Sequence, residues 1–386
     1  MIRIAFILII IALSICFCSC SDKSTGPDVP DKEYRFSHHQ DIVTTGGADF
    51  ESFTIGINTY LAVANAFDGI SPNTDSKIYK WNDGDSTFVE FQSIPTSQAS
   101  DWEYFSIGAE SYLVVANLKN GSTHNIDSKI YRWNGVSFIE FQSIPTNGAF
   151  DWEYFSIGVE SYIVVANSNN NATPNIDSKI YRWDGASFIE FQMIPTHGAS
   201  DWEFFTTGSD SFLAVANRNN ESTSNIDSKI YRWNGSTFVE FQAIPTNSAT
   251  SWESFSIGTD IYLAVANFSN DVTHEIDSKI YRWNGSSFVE YQSIPTNGAM
   301  DWESFSIGGD TYLAVANYTS ETSRNIDSKI YIWDGASFTE HQAVPTHGAN
   351  DWEYITIGGD PYLACANLYD GSTFNLNSII LIGIAE

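Results

Sequence analysis

The chain has 386 residues, 18 Lys and Arg against 47 Asp and Glu, and a formal net charge of −29 at pH 7. So large an acidic excess excludes nucleic acid and anionic lipid headgroups as partners held by general electrostatics. Only Cys365 lies beyond residue 20, so there is no disulfide framework and packing must supply the stability.

Residues 1–20, MIRIAFILIIIALSICFCSC, place one Arg before an apolar run that ends in small residues and Cys. This is the pattern of a bacterial-type secretory signal. Cys20 follows Ser19, as a lipid-modified Cys follows a small residue, so Cys20 is the expected lipidation site. Phe17 and Cys18 depart from a strict lipobox, and the alternative is an ordinary cleaved signal. Residues 21–34 are polar and rich in Asp, Ser and Pro, the composition of a disordered tether. Residues 35–386 form the folded body.

The body repeats. A unit beginning DWEYFSIG at Asp101 returns at Asp151, Asp201, Ser251, Asp301 and Asp351, and a slightly longer copy begins at Asp49. A fixed period of this length marks a propeller, solenoid or array. Within the unit, Trp102–Ile107 reads as a first strand ending at a Gly108 turn. Tyr112–Asn117 is a second strand, apolar on both faces and so covered on both. A nine-residue polar loop leads to a third strand, Ser128–Trp133. Asn134-Gly135 then predicts a type I′ hairpin into a fourth strand, Phe138–Ile144, which should stop at Pro145. No segment has a helical period. Phe36–Ile42 (FSHHQDI) aligns with the fourth strand, whereas the last copy stops after its third, Ser378–Gly383. Pairing these two segments closes a ring and removes exposed sheet edges. The expected fold is all-β: a seven-bladed propeller of four-stranded antiparallel blades.

The repeated residues W-E-x-F-x-I-G, Y-L-A-V-A-N, S-K-I-Y-R-W-N-G and F-x-x-x-Q-x-I-x-T resemble the epilepsy-associated repeat, EAR or EPTP, over residues 36 to 383. The resemblance implies a propeller serving as an extracellular interaction module without known catalysis. Departures are local: Phe50 for Trp, Ser251 for Asp, and Asn377-Ser378-Ile379 for Asp-Ser-Lys.

Strand direction puts the starts of strands one and three on the same face as the loops after strands two and four. There, Glu occurs in every copy of Asp-Trp-Glu and Asp in all but one. If the first strand is innermost, these carboxylates ring the channel mouth. Two charges about 8 Å apart repel by roughly 0.5 kcal/mol in water and about 2 kcal/mol at an effective dielectric near 20. A candidate Ca²⁺ site therefore draws on Asp49, Asp101, Asp151, Asp201, Asp301, Asp351, Glu103 and Glu153. The alternative is that these side chains bond backbone amides or the repeated Lys and Arg. The Asn of VAN and the Asp-Ser before strand three read as loop-supporting hydrogen-bonders, the repeated Trp as interblade packing, and Cys365 as core. His38, His39, His124, His197, His274, His341 and His347 are scattered outside any metal-spaced motif.

The loops after strand two, 66–74, 118–126, 168–176, 218–226, 268–276, 318–326 and 368–376, differ between copies while the adjoining strands barely change. They bring a mixed set of residues to one face: Phe67, Lys119, Arg218, Phe268, Tyr318, Arg324, Tyr369 and Phe374. Aromatic and Arg side chains anchor interfaces, so these are the candidate ligand-binding residues for a protein or glycan. The expected protein is a secreted, monomeric propeller on a bacterial outer membrane or cell surface, held to the membrane by its lipid alone. The alternatives are an envelope component without a dedicated ligand, or a hydrolase acting on glycans. A hydrolase needs unlike groups in one blade, and the one insertion, near Asp83-Gly84-Asp85, falls in a hairpin on the opposite face.

Overall fold

A computed structural model describes residues 33–386; the signal segment, Cys20 and residues 21–32 of the tether lie outside the described residues. The apolar alternation of the repeat resolves into 28 strands grouped as seven four-stranded antiparallel sheets, with no helix among the described residues. In the blade of the second copy the inner strand is Ala99–Ile107. Glu110–Asn117, Asn125–Trp133 and the outer strand Phe138–Asn147 follow in sequence order. The second strand is the most buried because both its faces are covered. Leu113 and Val115 pack with the preceding blade, whereas Val114 and Ala116 pack with the following one.

Aromatic rings fill the gaps between blades. Phe105 stacks on Tyr112 of its own blade at 5.3 Å and on Tyr154 of the next at 4.7 Å, and meets Phe188 edge-on at 5.6 Å. Trp102 is buried against Ala62 and Ala64 of the preceding blade, and Trp133 packs beside Tyr60 and Phe91. Both Trp positions are thus interblade packing, as expected, and Cys365 is a buried core residue.

The ring closes through the N-terminal strand. Tyr34–Val43 pairs antiparallel with Asn377–Ala385, with Phe36 opposite Gly383 and Ile42 opposite Ser378. Gly383 is needed there: a Cβ would lie 2.9 Å from the Pro361 ring and 3.2 Å from that of Phe36. The protein is therefore a seven-bladed β-propeller with its last blade assembled from both ends of the described chain.

Three local expectations are corrected. The outer strand runs through Pro145 to Asn147, with Pro145 opposite Asp127; proline is tolerated because this is the edge of the sheet, where its missing N–H deprives no neighbour. The third strand begins at Asn125, which shortens the preceding loop. The Asn134-Gly135 hairpin is a four-residue loop between Trp133 and Phe138, in which Gly135 has φ +94 and Asn134 lacks the positive φ of a type I′ turn. Asn134 instead accepts hydrogen bonds from the Val136 and Ser137 amides through its side chain.

An amide clamp links adjacent outer strands. Gln142 donates Nε2–H to Phe188 O at 2.8 Å and accepts Phe188 N–H at 2.9 Å, and every junction repeats this. Gln342 grips Phe36 and Gln40 grips Phe88 in the same two-bond manner, so the clamp continues through the N-terminal strand. Deleting residues 30–43 removes this strand and its clamps, at about 1 kcal/mol for each lost backbone bond, and should lower the urea and thermal midpoints sharply. Gln342→Leu, which leaves Phe36 N and O without partners, should cost about 1–3 kcal/mol. Midpoints unchanged by the deletion would mean that the ring closes some other way.

Candidate functional site: the channel and its loop-bearing mouth

The inner strand of each blade has no neighbour on its channel side, so alternate amides of that strand face away from the sheet. The Asp-Trp-Glu carboxylates of the preceding blade occupy them. Asp49 accepts Trp102 N–H at 2.9 Å and Glu51 accepts Tyr104 N–H at 2.9 Å. Asp101 and Glu103 do the same for Trp152 and Tyr154, and Asp151 and Glu153 for Trp202 and Phe204. At the closing junction Asp351 takes Phe50 N–H and Glu353 takes Ser52 N–H. Every carboxylate of the motif holds one such amide. Ser251, standing where the others have Asp, instead donates its hydroxyl to Asp301 at 3.0 Å. The amide-bonding alternative read from the sequence is thus the observed arrangement. The repeated lysines pair with outer-strand glutamates instead, Lys129 with Glu140 at 2.7 Å and Lys179 with Glu190 at 2.8 Å.

Packing so many acids into one narrow channel raises their pKa. Desolvation is the largest cause, and neighbouring carboxylates add to it. Asp301 is pushed up to about 6, Glu203 and Glu353 to about 7, and Asp151 to about 8. The amide bonds pull the other way without cancelling the shift. Among the described residues, no three His, Cys, Asp or Glu side chains converge closely enough to hold a metal ion as they stand.

The VAN asparagines brace the corners of the loop face. Asn117 donates Nδ2–H to Asp127 O, accepts Ser97 N–H on its side-chain oxygen, and donates its own amide to Ser128 Oγ. Ser128 is fully buried beside the Thr146 hydroxyl. Only the backbone carbonyl of the Asp127 position enters this network. That explains why Asn377 substitutes for Asp without loss: Asn367 Nδ2 still reaches Asn377 O at 2.9 Å.

The variable loops converge around the channel mouth, where the first residue after VAN and the residue before Asp-Trp-Glu line a cavity of about 300 Å³. The Arg218 guanidinium lies 5.2 Å from the Phe150 ring and 5.5 Å from Phe268. Phe268 neighbours Tyr318 at 6.1 Å, and Arg324 lies 4.5 Å from Tyr318 and 5.1 Å from Tyr369. Tyr369 stacks on Phe374 at 4.3 Å, and Phe374 meets Phe67 edge-on at 5.0 Å. Phe67, Phe374 and Lys119 line a second cavity, of about 500 Å³, which shares Ala66, Gln98 and Leu368 with the first. The eight residues singled out from the loops therefore gather on one mouth. All eight are half-buried. Burial lowers the Arg218 pKa.

Sequence reading missed Phe150 and Met300, which line the first cavity. At the equivalent position Ser100, Ser200, Thr250 and Asn350 each bond an Ala carbonyl of the next blade. Phe150 and Met300 make no such bond and project into the mouth instead. Their signal was present: this position varies from copy to copy beside an otherwise repeated Asp-Trp-Glu.

Comparison with known proteins agrees with this architecture. The EPTP domain matches at residues 35–82, 87–134, 137–184, 187–234, 237–284, 287–334 and 337–382. Two relatives are each called "Thrombospondin-type laminin G domain and EAR repeat-containing protein". The human one is 43% identical over 100 residues and the mouse one 42% identical over 102. Each alignment covers 26% of this chain and 15% of the relative, so the chain spans a small part of their length.

The channel acids make stability depend on pH in a definite direction. Their folded pKa values lie above the unfolded ones, so the folded state retains protons that the unfolded chain releases. The resulting stabilisation is fully present below about pH 4 and is lost as pH rises through about 6 to 8. The melting temperature measured in chelator should fall between pH 5 and pH 9. Glu153→Gln keeps an acceptor for Phe204 N–H and removes a charge, so it should raise the melting temperature at pH 9. A flat profile in the parent chain would refute the shifted acids.

Proposed function

The chain belongs to the EPTP domain family, and on that premise we propose that it is a cell-surface binding module that takes a partner protein on the loop-bearing mouth of its propeller. One observation carries this reading. The channel wall and outer rim repeat from blade to blade, whereas the mouth bears a single run of Phe150, Arg218, Phe268, Tyr318, Arg324, Tyr369, Phe374 and Phe67. A specific partner needs such asymmetry, because a purely repeated surface offers the same contacts at every blade. Aromatic and Arg side chains in a partly dehydrated pocket are also those that dominate binding energy. A glycan is the alternative ligand class, and carbohydrate competition in the capture experiment separates the two.

The location follows from the first twenty residues: cleavage before Cys20 and acylation of its thiol would tether the propeller to a bacterial outer membrane or cell surface. Cys20→Ala should abolish acylation and, once the signal segment is removed, move the protein from the membrane fraction to the soluble one; full retention in membranes of a chain shown by mass to lack residues 1–19 would overturn the anchor. We also propose Ca²⁺ as a neutraliser of the channel acids at pH values where they ionise. Their oxygens suit a hard cation, but each already holds an amide, so an ion would use their free oxygens and water. At pH 8, Ca²⁺ at 100 times its Kd would add about 2.7 kcal/mol to stability, and an unchanged melting temperature would overturn the proposal.

For the partner, affinity capture on intact cells and extracellular extracts with residues 30–386 should return a protein. Phe268→Ala, Tyr318→Ala and Arg324→Ala together should weaken its binding at least tenfold, about 1.4 kcal/mol. Substituting Asp83, Asp184 and Asp334 in the opposite hairpins should leave it unchanged. The reverse result would put the site on the hairpin face.

A further inference from the structure

Most Lys and Arg among the described residues are committed to ion pairs. Among the described residues, the repeated Lys and Arg of the third strands pair with acids, as in Lys229–Glu240, Lys329–Glu340, Arg232–Asp210 and Arg282–Asp260, and Arg35 pairs with Glu386. Only Lys80, Lys119, Arg218 and Arg324 make no ion pair with a described residue. Lys80 sits on a third strand over the Tyr60 ring. The other three all lie at the loop-bearing mouth, two of them on the wall of the same cavity. With 47 acids in the sequence, a cation left unpaired in a half-buried pocket is not explained by a shortage of partners.

The geometry defines what is missing. Aromatic rings lie against Arg218 and Arg324, and neither guanidinium makes a hydrogen bond to a described residue. A planar guanidinium held between rings keeps its N–H donors at its edges, where they match the two oxygens of a carboxylate. A half-buried cation with no anion beside it is costly, and an incoming anion offsets that cost. The rest of the cavity wall is largely apolar, from Phe150, Met300, Leu118 and Leu368. Its volume of about 300 Å³ suits one or two side chains.

We infer that the mouth binds a carboxylate beside an apolar side chain on the partner protein, with Arg218 and Arg324 receiving the carboxylate and the aromatic arc receiving the apolar group. This rests on the reading of the mouth as the binding face and adds the chemistry of what enters it.

The test uses the intact chain and three probes followed by protein NMR: acetyl-Phe-Glu-amide, acetyl-Phe-Gln-amide and 3-phenylpropanoate. The Glu dipeptide should bind at least tenfold more tightly than the Gln dipeptide, and the preference should weaken as salt is raised. Arg218→Gln with Arg324→Gln should bring the ratio close to one, and Lys at both positions should restore part of it. Lys80→Gln, the unpaired cation outside the cavity, should leave it unchanged. Melting temperatures of the variants separate a lost site from a lost fold, and the Lys variants keep the test valid if the Gln pair misfolds. Equal affinity for both dipeptides, or no binding of either, overturns the carboxylate even if the mouth variants still abolish partner capture. Loss of partner binding only in the opposite hairpins overturns the face itself. Tenfold tighter binding of 3-phenylpropanoate than of the Glu dipeptide would assign the site to a free organic acid and overturn the partner-protein source.

Discussion

Everything in this ring depends on how the inner edge of each blade is satisfied. An antiparallel sheet ends in a strand whose alternate amides have no neighbour, and in a propeller that strand faces a confined channel where water satisfies them poorly. The carboxylates of Asp-Trp-Glu supply the missing acceptors from the blade before, as Asp101 and Glu103 do for Trp152 and Tyr154. The bond serves two purposes at once: it caps an edge and fixes the register of adjacent blades. Between the two carboxylates Trp102 turns to the opposite side, into the preceding blade, so one tripeptide grips both neighbours.

The same solution concentrates negative charge on the axis, and the rest of the design accommodates it. Desolvation and mutual repulsion hold part of the ring protonated near neutral pH. The repeated lysines do not approach the axis to neutralise it; they are spent at the rim on outer-strand glutamates. There, exposed pairs are worth little, typically below about 1 kcal/mol. The rim is held instead by neutral glutamine clamps that need no charge and pass unbroken through the N-terminal strand. Channel and rim are thus closed by different chemistry: buried carboxylates on amides in the channel, neutral glutamine clamps at the rim.

A ring built this way leaves its loops free to differ. The VAN asparagine and the buried Ser–Thr pair brace each corner through contacts that the loop's own residues do not enter. The loops then share turn geometry, with Asn120, Asn170 and Asp370 side chains each accepting two successive amides, while their remaining side chains vary. Part of that variation ties neighbouring loops together, as where Asn171 accepts His124 N–H, Asp271 accepts Ser224 N–H and Glu321 accepts His274 N–H, and the rest collects at the mouth. The aromatic and Arg arc is the outcome.

Sequence alone determined the architecture. A repeat of four short strands cannot bury its faces singly, and a spare fourth strand at Phe36–Ile42 matches a missing one after Gly383, so both the ring and its closure follow from pattern. It also located the mouth, because strand direction assigns loops to faces without any knowledge of packing. It left the carboxylates undecided between cation and amide, since both need the same residues at the same spacing. Only the tertiary structure decided that each carboxylate holds an amide, because those amides belong to another blade some fifty residues away. The role of the repeated Gln was hidden for the same reason. Pro145 misled because sequence does not say which strand is the sheet edge. Phe150 and Met300 were overlooked because whether a side chain at that position bonds the next blade or enters the cavity depends on where the next blade's carbonyl lies, and that is set by the closed ring.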